Sequence, residues 1–379
     1  MTIVTPLVGP GPNAGPTRRG LLAAASATTA LALLPRRAAA AAPLGPVAEA
    51  EAVIAFGHIG PISDGGWTAT HHHGMLAAKR AFPKAKFLEV ESIPVSADAT
   101  RTFRQFVENG ANLVFVTSEY GDLLSSVADD AADVGFLECN GHRTSDNQGW
   151  YYIQHWRVSY IIGVAAARMS KSGKLGFVGS FPVPAVYSCA NAFVLGARSI
   201  RPDATAQVIL INSWFDPQAA SQAANALIQN GIDMIYTNLD DASCLQVAAK
   251  AGIKCATWNT DMRASGPEAY VTSLLLDWDR FYVAQIAARL KGSWSGGVST
   301  ILPVGGGVDR DAWGAGVPAD VAAMADAVRG RILGGWNPFQ GEIKDADGRI
   351  RVARGAAMDE MACYGWNWPV EGVSGLRSA

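Results

Sequence analysis

Residues 57–74, GHIGPISDGGWTATHHHG, bring together one carboxylate (Asp64), three glycines that free the backbone (Gly60, Gly65 and Gly66), an indole (Trp67) and the consecutive histidines His71, His72 and His73. Such a set can hold a flat polar ligand, by stacking on the indole and by hydrogen bonds to the carboxylate and the backbone. The same residues would also serve as a glycine-rich turn whose tryptophan covers the core. Consecutive residues of a helix point in different directions, so the three histidines do not form one metal site, and no metal is expected. Further polar groups follow strands: Glu119 and Tyr120 end the third one, and Asp240 and Asp241 follow a later one, where they either touch a ligand or cap the next helix. Of eleven tryptophans, Trp67, Trp214, Trp258 and Trp278 fall at or just beyond the carboxyl ends of strands. Tyr152 and Arg157 belong to a polar and aromatic stretch placed to line the hinge side of a cleft.

These groups are positioned by alternating strands and helices. Apolar runs predict strands at 53–56, 86–90, 113–117, 135–138, 175–178, 207–211, 234–237, 254–258 and 270–275. Helical periodicity fills the intervals at 74–81, 99–109, 123–130, 160–169, 190–199, 217–229, 242–251 and 278–290. Strand, helix and strand at this spacing make βαβ units and parallel sheets, about four units before residue 150 and five after it. The expected architecture is α/β, with two doubly wound lobes joined by a hinge. Lobe 1 takes residues 50–148 and 279–300, and lobe 2 takes 149–278 and 301–379, with a polar break over 141–154. Ligands bind between such lobes, at the carboxyl ends of the strands.

Composition narrows the function. At 379 residues the chain is long enough for two cores, and 49% hydrophobic against 17% charged residues means that most of it is folded. A net charge of −2 with no internal basic run leaves nothing to hold nucleic acid. Residues 1–42 read as a twin-arginine export signal: Arg18 and Arg19 precede a short alanine-rich apolar stretch, then Arg36, Arg37 and the small-residue run 38–42. The apolar part is too short to span a bilayer, and no lipid-anchor cysteine follows it, so a soluble periplasmic protein is expected. The five cysteines (139, 189, 244, 255 and 363) form no metal or redox spacing, and their odd number leaves at least one free thiol; Cys244 and Cys255 are the pair that a helix and the next strand bring nearest.

Several segments together resemble the basic membrane protein family, the substrate-binding components of ABC importers. They are residues 60–68 (GPISDGGWT), 169–178 (MSKSGKLGFV), 191–198 (NAFVLGAR), 212–217 (NSWFDP), 258–261 (WNTD), 277–278 (DW), 341–351 (GEIKDADGRIR) and 367–374 (NWPVEGVS). The resemblance runs from about residue 53 to residue 375, essentially the whole mature chain. It implies a type I periplasmic-binding fold, a purine nucleoside or nucleobase as ligand, and an ABC permease as partner, with no cofactor and a monomeric protein. It also implies that Asp64, Trp67 and Trp214 hold the ligand, and that Asn259 and Asp261 stand where the family has two acids. The family's lysine falls on Leu276, which would remove hydrogen bonds to a ribose and favour a free base such as adenine. Purine chemistry agrees with this set, since a base needs aromatic plates and an amide or carboxylate in its plane. With Glu119, Tyr120, Asp240 and Trp278 added from strand position, the expected ligand-binding set is complete. The twin-arginine route, which exports folded proteins, keeps an enzyme acting on a small aromatic solute as the alternative. However, no G-x-S-x-G, Walker loop or H-E-x-x-H is present.

Overall fold

The computed structural model describes residues 41–378, and the expected export signal falls almost entirely outside them. Strand β1 (Val53–Gly57) opens a six-stranded sheet with β2 (Lys86–Val90), β3 (Leu113–Val116), β4 (Gly135–Cys139), β5 (Gln148–Ile153) and β11 (Ser299–Leu302). Its order is β11-β5-β4-β3-β1-β2 and every pairing is parallel. β1 and β3 are continuous apolar runs because helices cover both faces. α1 (Trp67–Ala81) and α8 (Asp279–Leu290) pack on one side, and α2 (Ala97–Glu108) and α3 (Asp122–Asp130) on the other. α2 is amphipathic, burying Ala99, Phe103 and Phe106, and Ser96 caps it by accepting from the Asp98 N–H at 3.3 Å.

The second sheet contains β6 (Lys174–Gly179), β7 (Thr205–Leu210), β8 (Met234–Thr237), β9 (Lys254–Asn259), β10 (Tyr270–Leu276), β12 (Val308–Arg310) and β15 (Val373–Ser374), in the order β12-β10-β9-β8-β6-β7-β15. Only β12 runs antiparallel to its neighbour in this sheet. α4 (His155–Met169) and α5 (Pro184–Arg198) share one apolar cluster with its strands, and α6 (Pro217–Gln229) and α7 (Ser243–Ala251) belong to the cluster on the other side. α4 is apolar nearly all round, being enclosed by α5 and by α9 (Ala319–Leu333) as well as by the sheet. α4 and α5 approach each other very closely: a Cβ on Gly163 would lie 2.0 Å from the Phe193 carbonyl oxygen, and one on Gly196 2.1 Å from that of Tyr160. A small hairpin, β13 (Ile343–Lys344) and β14 (Ile350–Val352), and the short α10 (Glu360–Tyr364) complete the C-terminal part.

The chain passes between the sheets after β5, after β10 and after β11. The stretch expected as a polar break contains a real strand, β5, whose six residues are all buried in the first sheet. The first lobe therefore extends to Ile153. Each sheet reverses its winding beside its first strand, β1 between β2 and β3, and β6 between β7 and β8. The loops leaving β1, β3, β6 and β8 at those points face one cleft. All five cysteines are buried and free, Cys244 and Cys255 included. No helix of the described residues is long and apolar enough to cross a membrane.

Candidate ligand site between the lobes

A cavity of 660 Å³ lies between the lobes and takes its walls from the loops after β1, β3, β4, β6, β7 and β8. Asp64 lines it, yet its carboxylate is already engaged. Oδ1 accepts from the N–H groups of Gly66 (2.8 Å) and Ala69 (3.0 Å), and Oδ2 from that of Thr68 (2.9 Å). An acid at this place satisfies orphan donors of the first turn of α1 and suits the positive end of the helix dipole. Asp64 thus shapes the loop that presents Trp67. The Trp67 indole N–H donates to the Thr117 carbonyl at the end of β3 (2.7 Å), which fixes its ring on the cavity wall.

Trp278 is not a wall residue. It is fully buried beneath Trp67, stacks on His71 with centroids 4.2 Å apart and donates from Nε1 to Thr70 Oγ1 (3.1 Å). Its position just after a strand is shared with the wall tryptophans, but here the strand returns the chain to lobe 1 and the ring enters the core. The histidines belong to α1 and diverge as helical geometry requires. His71 bonds Tyr282 (2.5 Å), burial pulling its pKa well down, whereas His72 bonds Glu89 (2.6 Å), which His58 also reaches (2.9 Å). Among the described residues no group of three or more His, Cys, Asp or Glu is arranged to hold a metal ion.

At the other end of the cavity, Glu119 lies 3.3 Å from His142, and both line it together with Asn140. Tyr120 turns away: its hydroxyl donates to the Ile93 carbonyl (3.0 Å) and its ring packs edge-on against Phe103. The loop is held from below by Glu138, which accepts from the N–H groups of Tyr120 (2.6 Å) and Gly121 (2.8 Å). Burial pushes the Glu138 carboxyl up to about 7.

From lobe 2 come Trp214, Phe215, Trp258, Asp240 and the start of α5 at Val183, Pro184 and Ala185. The two acids after β8 divide their tasks. Asp241 accepts from the Ser243 N–H (2.7 Å) at the start of α7, while Asp240 faces the cavity. Asn259 does not reach the wall. It is buried, with a left-handed backbone (φ 69°), and its amide donates to Asp240 Oδ1. Asp261 also stands outside, accepting from the Arg263 N–H (2.9 Å) in a surface turn. Leu276 pairs with Val308 between β10 and β12 and is not a wall residue, and Arg157 is spent on Glu360 and the Trp336 carbonyl.

The lobes meet at a lip beside the cavity, apart from the Tyr364 hydroxyl that donates to the Gly141 carbonyl (2.9 Å). Thr260 Oγ1 donates to the Gly65 carbonyl (2.9 Å), and a Cβ on Gly66 would lie 2.6 Å from the Asp240 Cβ. Across that contact Asp240 has no Lys or Arg beside it. Burial, and next the nearby Asp64, push the Asp240 carboxyl up to about 8. No Lys or Arg belongs to the cavity wall, and His142 is its one basic group. The arrangement suits a flat ligand without negative charge, held between aromatic walls. Trp67, Glu119, Trp214 and Asp240 were visible from strand position and Tyr152 from the hinge stretch, and all of these line the cavity. Asn140, His142 and Tyr364 were missed. The left-handed φ of Asn140 (61°) carries no clear sequence signal, and Tyr364 arrives from the far C-terminal end of the chain.

Comparison with known proteins gives the family and the fold. Residues 52–308 match the family described as ABC transporter substrate-binding protein PnrA-like (Bmp). A purine-binding protein of Brucella abortus is 36% identical over 329 residues, covering 86% of this chain and 94% of the relative. A putative ABC transporter glucose-binding protein of Haloferax volcanii is 33% identical, covering 76% of this chain and 74% of its own. Among solved structures, a solute-binding protein of an ABC transporter system from Aeropyrum pernix superposes with a TM-score of 0.65 at 13% identity, covering 82% of this chain and 95% of that one. Such a likeness supports the type I periplasmic-binding fold. With a relative above a third identical along most of its length, the chain belongs to the Bmp family of PnrA-like ABC transporter substrate-binding proteins.

Proposed function

We propose that this substrate-binding protein captures an uncharged purine in the inter-lobe cavity and hands it unchanged to a membrane permease. The observation that carries this is the pairing of Trp67 on one lobe with Trp214 and Trp258 on the other, in a wall without Lys or Arg. Base stacking on an aromatic plate contributes about 1–3 kcal/mol, whereas a nucleotide's phosphate would enter with no cation to meet it. The similarity to a purine-binding relative supports the same ligand class.

The preference for a free base, expected from Leu276, does not act through this wall, because Leu276 is not part of it. The cavity volume of 660 Å³ and the second polar group, Glu119 with Asn140 and His142, favour a nucleoside as the second reading. Calorimetric titration with adenine, adenosine, guanine and guanosine separates the two, and native mass spectrometry of protein purified without refolding names any retained ligand. A binding protein returns these compounds intact, so turnover of a nucleoside would favour the enzyme alternative instead.

Ligand at a hundredfold excess over Kd should stabilise the protein by about 2.7 kcal/mol. Trp214 is more than a third exposed, so Trp214→Ala should remove most of that thermal shift while leaving the ligand-free melting point nearly unchanged. Trp67→Ala should remove it too, and should in addition cost roughly 1–2 kcal/mol of ligand-free stability for the lost bond to Thr117 and the contact with Trp278. A full thermal shift in Trp214→Ala would take that tryptophan out of the site.

Residues 1–42 are proposed as a twin-arginine signal that delivers the protein to the periplasm. Replacing Arg18 and Arg19 by lysine should then leave precursor in the cytoplasm, because that route reads guanidinium pairs and not charge alone. Unchanged export of the double variant in a cell fractionation would count against it.

A further inference from the structure

Asp240 stands where both lobes, the cavity and the loop carrying Trp214 meet. Its side chain lines the cavity and lies against Gly66 of the opposite lobe, with Cβ, Cγ and Oδ1 all within 2.8 Å of where a Gly66 Cβ would be. Its own N–H donates to the Trp214 carbonyl (2.9 Å), tying it to the loop that carries that indole. Asn259, 1% exposed and with a left-handed backbone, donates its amide to Oδ1 and so fixes the carboxyl plane. The acid groups around it are Asp64, from the loop after β1, and Asp241, its chain neighbour, while the Trp67 backbone N–H donates to its carboxyl and, like the Asn259 amide, works against their effect. Glu119 and His142 also line the cavity, and the wall contributes no Lys or Arg. Burial, with acids nearby and no cation, outweighs those two donors, and the carboxyl keeps its proton.

Resting on the purine reading above, we infer that Asp240 reads the edge of the base as a carboxylic acid, presenting one O–H donor beside one carbonyl acceptor. An ionised carboxylate only accepts, and would suit an edge of two donors. The acid form instead forms a cyclic pair with an acceptor nitrogen beside a donor amine, as in adenine, or with a lactam N–H beside its carbonyl. Asn259 is then a positioning residue, acting on the ligand through Asp240.

The inference fixes a sign for pH. With the lobes apart, Asp240 loses the cover of Gly66 and the neighbouring Asp64, so its carboxyl moves back toward the ordinary range near pH 4. Closed, it keeps its proton up to about 8. Closure therefore takes up a proton between those values, and affinity falls as pH rises through the window, by about tenfold per unit. Adenine titrated into the wild-type protein should bind about a hundredfold more weakly at about pH 8 than at about pH 6. Asp240→Asn keeps a donor and an acceptor but cannot ionise, so it should bind adenine with little change over the same range. Asp240→Ala should bind at least about tenfold more weakly at pH 6. Equal wild-type affinity at both pH values, or a fall in Asp240→Asn parallel to that of the wild type, overturns the inference and leaves the purine reading standing. Failure of the wild type to bind adenine, adenosine, guanine or guanosine at pH 6 overturns both.

Discussion

Gly66→Ala is expected to weaken ligand capture by a hundredfold or more, about 2.7 kcal/mol, while leaving each lobe folded. The added methyl would lie 2.6 Å from the Asp240 Cβ and 2.8 Å from its Cγ. These are not the far end of a flexible side chain. Asp240 is held by the Asn259 amide and by its own backbone bond to Trp214, so it cannot withdraw without dismantling the lip. With the lobes apart Asp240 no longer meets the methyl group, so this clash burdens the closed state. Small-angle scattering with and without ligand tests this directly. The wild type should become more compact on binding and Gly66→Ala should not; equal compaction and equal affinity would show that the lobes close by another route.

Gly163→Ala is expected to destabilise the second lobe by about 3 kcal/mol or more, with Gly196→Ala close behind. Each methyl would be driven into a backbone carbonyl of the facing helix, at 2.0 Å and 2.1 Å respectively. A carbonyl cannot change rotamer, so α4 and α5 would have to separate. Both helices are buried along most of their length, and α9 and the sheet lie behind them. The small gain in helix propensity from glycine to alanine, about 1 kcal/mol, does not offset that separation. Denaturant unfolding measures the loss, and an unchanged midpoint in Gly163→Ala would mean that the helix pair slides apart without cost.

The lobes were legible because their strands are buried on both faces and read as unbroken apolar runs, as in Val53–Gly57 and Leu113–Val116. β5 was overlooked because the polar run before it, HRTSDNQ, is what a domain linker looks like, although the aromatic strand that follows is wholly buried. α9 was not predicted, being alanine-rich and weakly patterned, with only Val321, Ala325 and Ile332 buried. Within the site, position after a strand found Trp67, Trp214 and Asp240 but does not separate a wall from a floor. Trp278 and Tyr120 satisfy the same rule and are core. The distinction depends on which way the chain turns after the strand, which is a property of the tertiary path. Asn259 shows the limit in another way: the resemblance points to its position, yet its amide is directed at Asp240 and not at the cavity.

If residues 1–42 act as the export signal proposed above, the five buried thiols bear on how the chain crosses the membrane. Burial pushes the Cys189 and Cys244 thiols up to about 12 and raises those of Cys139, Cys255 and Cys363 as well, so the folded protein offers almost no thiolate to an oxidant. A chain threaded through a membrane unfolded would present five sulfurs at once to an oxidising compartment, an odd number that leaves one to join another molecule. A chain that crosses already folded meets that chemistry with every sulfur out of reach. On this view folded passage needs no cofactor to justify it: it keeps a cysteine-bearing core from being cross-linked before it can form.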